Sequence, residues 1–140
     1  MQAVLFCGGQ ATRMGGGDIP KPMVEIGGKP IVWHIMKYLN YYGVDEFFLA
    51  LGHKQDYFKE YFTKQLTVNK NINISKNGVA GYFGNGYNER FSINLIDTGE
   101  DTLTGGRLRQ CLHYLNQIKD SHFIAAYGDV LSDVDINTLI

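Results

Sequence analysis

Only two cysteines, Cys7 and Cys111, occur in the 140 residues. Two thiols so placed make neither a disulfide framework nor a zinc pattern, and a reducing cytoplasm is the expected setting. Excess charge is missing as well. The formal net charge is −1 and the pI about 6.4, a balance that argues against a nucleic-acid binder. No apolar run is long enough to cross a membrane. Met1-Gln2-Ala3-Val4 puts no basic stretch ahead of an apolar one, so no secretory leader is read there. Internal repeats and low-complexity tracts are lacking too. What remains is 44% hydrophobic and 19% charged, the composition of a chain that folds rather than one that stays disordered. Its length suits one domain, which buries roughly two thirds of its unfolded surface.

Glycine is the residue in excess. Seventeen of 140 residues are glycine, and seven lie within the first 28, against an average usage of about 7%. Such local enrichment marks backbone that something must approach closely.

The order of elements is legible from pattern. Ala3-Val4-Leu5-Phe6-Cys7 is a continuous apolar run, as in a strand buried on both faces, and it stops at Gly8-Gly9. A polar, glycine-rich stretch reaches Lys29. Pro30 stands where a first helical residue is favoured. Val32, Ile35, Met36, Leu39 and Tyr42 then follow helical spacing up to Gly43. A second strand is predicted over 46–51. A helix over 54–64 carries Tyr57, Phe58, Tyr61 and Phe62 as a core-facing stripe. Thr67 to Asn88 reads as an irregular excursion with a possible short strand at 71–74. Asn69 to Asn77 is most simply a solvated loop, a contact with a second copy of the chain being the other reading. A strand follows at 91–96, a helix over 105–118, and a buried strand over 122–127. Residues 133–140 look like the opening of a helix in which the sequence stops, as expected of a fragment of something longer. Alternating strands and helices predict a three-layer α/β fold with a mostly parallel, Rossmann-like sheet. Ligands of such sheets bind beyond the carboxyl ends of the strands, where Gly8–Lys21 and Gly128-Asp129 fall.

Gly8-Gly9-Gln10-Ala11-Thr12-Arg13, followed by Pro20-Lys21-Pro22, carries the chemistry. Two glycines after a first strand let backbone N–H groups face an anion. Arg13 adds a forked permanent charge, and Lys21 a point charge on backbone stiffened by two prolines. Together they suit a polyphosphate and the charge that develops during phosphoryl transfer. Two common phosphate motifs are excluded. A P-loop needs Ser or Thr after Gly-Lys, and here Gly28-Lys29 precedes Pro30. A dinucleotide fingerprint needs Gly at position 10 and an acid near the end of the second strand, where Gln10 and Leu51-Gly52-His53 stand.

Gly-Gly-x-x-Thr-Arg followed by Pro-Lys-Pro resembles the signature of the sugar-1-phosphate nucleotidylyltransferases. Residues 22–37, Asp97-Thr98-Gly99, Thr104-Gly105-Gly106-Arg107-Leu108 and Tyr127-Gly128-Asp129 are similar to the branch that joins CTP to glucose 1-phosphate. The resemblance covers nearly all of this chain and about half of such an enzyme. It implies a nucleotide-diphospho-sugar transferase type of fold, with residues 1–140 as its nucleotide-binding part and the sugar-binding part absent. It also implies Mg²⁺ as cofactor, and CTP and glucose 1-phosphate as partners, with another nucleotide, another sugar phosphate or an inactive nucleotide-binding module as alternatives. By position, Phe6, Cys7, Gly8, Gly9, Gln10, Ala11, Thr12, Arg13, Lys21, Thr102, Arg107 and Gly128 would hold nucleotide. Arg13 and Lys21 would be catalytic, on the leaving pyrophosphate and on the transferred or sugar phosphate. Asp129 would be the metal ligand.

Departures and plainer readings accompany these. Ala11 and Val130 replace usual glycines, and 14–18 is shorter and richer in glycine than its counterpart. Gly8-Gly9 could be only a tight turn. Asp129 could cap a following helix, and Thr104 could cap the helix it opens. Cys7, Cys111 and the four scattered histidines read as packing or surface residues.

Overall fold

In β1 (Gln2–Phe6) the apolar run becomes a strand whose Ala3, Val4 and Leu5 have no exposed surface. The computed structural model describes residues 1–9, 17–68, 72–75, 78–83, 91–115 and 122–139. After β1, a 3₁₀ turn at Lys21–Met23 leads to a two-residue ladder of β2 (Glu25–Ile26) and β3 (Lys29–Pro30). α1 (Ile31–Tyr41) follows, with Pro30 as its N-cap rather than its first residue. The fixed φ of proline, −63° here, suits that half-in position equally well. Gly43, at φ 86°, ends the helix in the left-handed conformation. Then come β4 (Glu46–Leu51), α2 (Gln55–Val68), β5 (Ile72–Ser75), β6 (Gly78–Phe83), β7 (Phe91–Asp97), α3 (Thr104–Leu112) and β8 (Ile124–Tyr127).

The main sheet has the order β5-β6-β7-β4-β1-β8. The four strands β7, β4, β1 and β8 run parallel, while β5 and β6 are antiparallel additions at one edge. Alternation along the strands makes the layers. Ala3, Leu5, Phe47, Leu49, Leu51, Ile93 and Leu95 pack with Val32, Ile35, Met36 and Leu39 of α1 and with Phe58 and Phe62 of α2. Val4, Phe48, Ala50 and Ile96 face the other way, onto Cys111 of α3 and Leu115. Among the described residues, α1 and α2 therefore cover one face and α3 the other.

Several expectations are corrected. The excursion over 67–88 holds β5, one residue along from the short strand read at 71–74, and a second strand, β6, that was not read, after an α2 that reaches Val68. Its glycines and asparagines are poor strand formers, and pairing of β6 with β7 and of β5 with β6 overrides that preference. Residues 69–71, 76–77 and 84–90 of this stretch lie outside the described residues. β8 is half exposed, not buried, because it forms the outer edge of the sheet. In α2 the stripe is narrower than read: Phe58 and Phe62, four residues apart, are buried, while Tyr57 is exposed. α3 starts at Thr104 and ends at Leu112, and 116–121 lie outside the described residues. Residues 133–139 contain a single 3₁₀ turn, Ile136–Thr138, capped by the Asp135 carboxylate. Among the described residues no helix is long and apolar enough to cross a membrane.

Candidate functional site

The chain walks from β1 to β4 to β7 in one direction, then returns past both to place β8 on the other side of β1. The strand order therefore reverses between β1 and β8. In open α/β sheets a crevice forms at the carboxyl ends at such a switch point. The two strand ends are tied together there, since Gly128 N–H donates to the Phe6 carbonyl at 3.0 Å.

A cleft of about 430 Å³ opens at that point. Phe6, Cys7, Gly8 and Gly9 line it from β1, and Tyr127 and Asp129 from β8. Pro22 and the segment Glu100–Thr104 with Arg107 complete the wall. The Phe6 and Tyr127 rings stand 5.7 Å apart, tilted by 58°. Cys7 is buried and its N–H donates to Ala50 O at 3.0 Å. Burial, reinforced by the nearby Asp129 charge, holds its thiol protonated far above the usual range. Cys7 is thus a packing residue and no nucleophile. Cys111, under α3, is pushed up to about 11, mainly by burial.

α3 aims its first turn at the same cleft. Its N-cap is Leu103, which offers no side-chain acceptor. Thr104, read as a possible cap, is the first helical residue instead. The leading amides of a helix lack intrahelical partners, and here Thr104, Gly105 and Gly106 head the helix with no side-chain cap. Such a terminus favours anions. Thr102 sits against it: a Cβ on Gly106 would lie 2.8 Å from Thr102 Cγ2, and one on Gly99 2.9 Å from Thr102 Oγ1.

Asp129 occupies a turn with no helix directly after it, so the capping alternative fails. Lys21 opens the 3₁₀ turn beside Pro22 and is partly exposed; its neighbour, not Lys21 itself, lines the cleft. Gln10, Ala11, Thr12 and Arg13 lie outside the described residues. Arg107 lines the cleft yet is buried, and its guanidinium donates five hydrogen bonds to the protein: to the carbonyls of Gly8, Leu51, Gly99 and Glu100, and to Thr98 Oγ1. Burial pulls its guanidinium below the ordinary value.

Residues 3–81 match the MobA-like NTP transferase domain. The chain belongs to that family. It is 43% identical to a probable glucose-1-phosphate cytidylyltransferase of Bacillus subtilis, and 38% identical to the glucose-1-phosphate cytidylyltransferase of Salmonella typhimurium. Each match spans all of this chain and 54% of the relative. A D-glycero-alpha-D-manno-heptose 1-phosphate guanylyltransferase of Campylobacter jejuni is 30% identical over 99% of this chain and 52% of its own length. Among solved structures, HddC from Yersinia pseudotuberculosis complexed with GMP-PN superposes with a TM-score of 0.68 at 28% identity, over 99% of this chain and 52% of that one. The chain spans about half the length of the curated relatives it matches.

In this NTP transferase domain the sequence reading missed part of the wall. Glu100, Asp101 and Leu103 line the cleft. Asp97-Thr98-Gly99, quoted only as a resemblance, is the device that presents them. The Asp97 carboxylate accepts from Gly99 N–H and Gln55 Nε2, both at 3.0 Å, and these bonds hold it below the usual carboxylate range. His53 Nδ1 meets Glu100 Oε1 at 2.6 Å, so the turn after β4 braces the same segment. An acid and a glycine at the end of a strand, followed by two more acids before a helix, were the available signal.

Proposed function

We propose that this chain is the nucleotide-binding part of a transferase that joins CTP to glucose 1-phosphate, forming CDP-glucose and releasing pyrophosphate. One observation carries the reading: Gly8-Gly9, the uncapped start of α3 and Asp129 meet at one cleft at the sheet's switch point. The similarity of the whole chain to about half of proteins named as glucose-1-phosphate cytidylyltransferases supports the choice of substrates.

The reaction is a displacement at phosphorus. A phosphate oxygen of the sugar phosphate forms a bond to the α-phosphorus of the nucleotide. The bond from that phosphorus to the α,β-bridging oxygen breaks, and pyrophosphate leaves with the electron pair. Such transfer is catalysed mainly by positioning and charge stabilisation. Gly8 and Gly9 bring backbone N–H groups to the phosphates, and Thr102 flanks the nucleotide beside the start of α3. Lys21, on its proline-stiffened turn, steadies the transferred phosphate, and Arg13 the leaving pyrophosphate.

The residues fit Mg²⁺. This ion takes one or two carboxylates together with substrate phosphates and waters. Asp129 offers one carboxylate at the cleft, and among the described residues no cluster of three or more potential ligands competes as an all-protein cage. Asp129 would hold the ion, which when bound neutralises phosphate charge.

Equilibrium binding tests the reading, with CTP, UTP, dTTP and GTP titrated separately in the presence of Mg²⁺. CTP is expected to bind best, and less tightly to Arg13→Ala and Asp129→Asn. Equal binding of all four would keep the phosphate site and remove the cytidine assignment. Preferential binding of GTP would place the chain with the guanylyltransferases instead.

A further inference from the structure

We infer that Arg107 is a positioning residue, a buried clamp that fixes the carboxyl ends of β1, β4 and β7 and so shapes the phosphate cradle. The inference rests on the nucleotide site proposed above and changes the role of one of its residues.

The geometry is specific. Nη1 donates to Leu51 O at 3.0 Å, Thr98 Oγ1 at 2.6 Å and Gly99 O at 2.8 Å. Nη2 donates to Gly8 O and Glu100 O, both at 3.0 Å. Gly8 follows β1, Leu51 ends β4, and Thr98 to Glu100 follow β7. A guanidinium has five N–H donors in a rigid fork, and both terminal nitrogens here face only oxygens of the chain's own strand ends. No ion pair engages Arg107 among the described residues. Its nearest counter-charge, the Asp97 carboxylate, acts on it through space only, so Arg107 brings positive charge to the back wall of the cleft, where burial strengthens its field. A full charge there attracts phosphate without touching it.

The glycines around it carry the same message. A Cβ on Gly8 would stand 2.3 Å from Arg107 Nη1 and 2.8 Å from Gly52 N. A Cβ on Gly52 would stand 2.4 Å from Nη1 and 2.8 Å from Gly99 O. Both positions are closed to side chains because the fork fills the space between them. Fixing the Gly8 carbonyl also fixes the peptide plane it shares with Gly9 N–H, since that unit is rigid. Gly9 lines the cleft, and its amide is thus held from behind.

Three variants of the 140-residue chain test this. Arg107→Lys keeps the charge and loses the fork. Arg107→Met loses both. Thr98→Val removes one acceptor of the fork, together with the bond that Thr98 Oγ1 donates to Leu51 O at 2.6 Å, while leaving Arg107 in place. Amide hydrogen exchange reads the clamp at Cys7 and Thr98, whose N–H groups donate to Ala50 O and Leu51 O at the strand ends, against Leu5 in mid-strand. Inorganic tripolyphosphate and CTP read the cradle. For Arg107→Lys the strand-end amides are expected to exchange about tenfold faster, the scale of a lost hydrogen bond to a charged group, with Leu5 unchanged. Affinity for tripolyphosphate and for CTP falls by the same factor. Thr98→Val moves the exchange in the same direction by less, and Arg107→Met weakens both ligands further. A loss confined to CTP would mean that Arg107 contacts base or ribose and would overturn the clamp. Unchanged exchange at Cys7 and Thr98 would overturn it as well. If the unsubstituted chain bound neither ligand, the proposed nucleotide site would fall and the cradle with it, whatever the exchange showed of the strand ends.

Discussion

A Cβ on Gly128 would lie 2.5 Å from Cys7 Sγ and 3.3 Å from Phe6 O. The glycine and the small buried thiol are therefore matched, one strand end against the other. Gly128→Ala is expected to destabilise the chain by about 1–3 kcal/mol, the usual range for overpacking. In a Cys7→Ala background the same substitution costs less, because the sulfur is gone. Thermal unfolding of the four proteins in this cycle measures the coupling, and simple additivity would refute the match. Asp97 gives a prediction in pH. Its folded carboxyl gives up its proton more readily than in the unfolded chain, because Gly99 N–H and Gln55 stabilise the charged form. That contribution to stability is complete above the ordinary carboxylate pKa of about 3.9. It drains away as pH falls through the lower folded value. Asp97→Asn should lack this part of the acid slope, and urea unfolding between pH 6 and 2 would reveal it.

At the scale of elements, what the sequence disclosed depended on burial. β1 and β4 are covered on both faces and read as plain apolar runs, so their limits were legible to within a residue. α1 was legible from its spacing of buried residues and the glycine that ends it. β5 was legible as the short strand read at 71–74, whereas β6 was not, since Gly78 and Gly81 contribute no apolar alternation and its strand state comes from pairing with β5 and β7. β8 was found, but its apolar letters concealed that it is an edge. Amide exchange should rank these elements: slowest in β4, which is paired on both sides, and faster in β8, which pairs with β1 alone. Equal protection in β8 and β4 would contradict the strand order. Phe47 sits at the centre of the α1/α2 side, edge to face with Phe91 at 5.3 Å. Phe47→Ala is expected to cost about 3–5 kcal/mol, read by denaturant unfolding.

For the whole molecule, the order of strands decides where chemistry can occur. The reversal between β1 and β8 opens a crevice, and the glycines of one strand end and the carboxylate of the other fall on either side of it. Sequence pattern alone placed Gly8-Gly9 and Asp129 at strand ends, and the fold brings them to one cleft. Arg107 was legible as part of the site and illegible as a clamp, because spacing cannot tell whether a guanidinium meets a ligand or its own backbone. Glu100 and Asp101 escaped notice for a related reason: they belong to the wall only through the Asp97 turn and the brace from His53. The most direct test is amide NMR of the 140-residue chain during titration with CTP and Mg²⁺. The account predicts the largest shifts at Gly8, Gly9, Thr102, Gly105, Gly106 and Asp129, at both sides of the switch point. Shifts confined to another face of the sheet, or no shifts at saturating CTP, would contradict it.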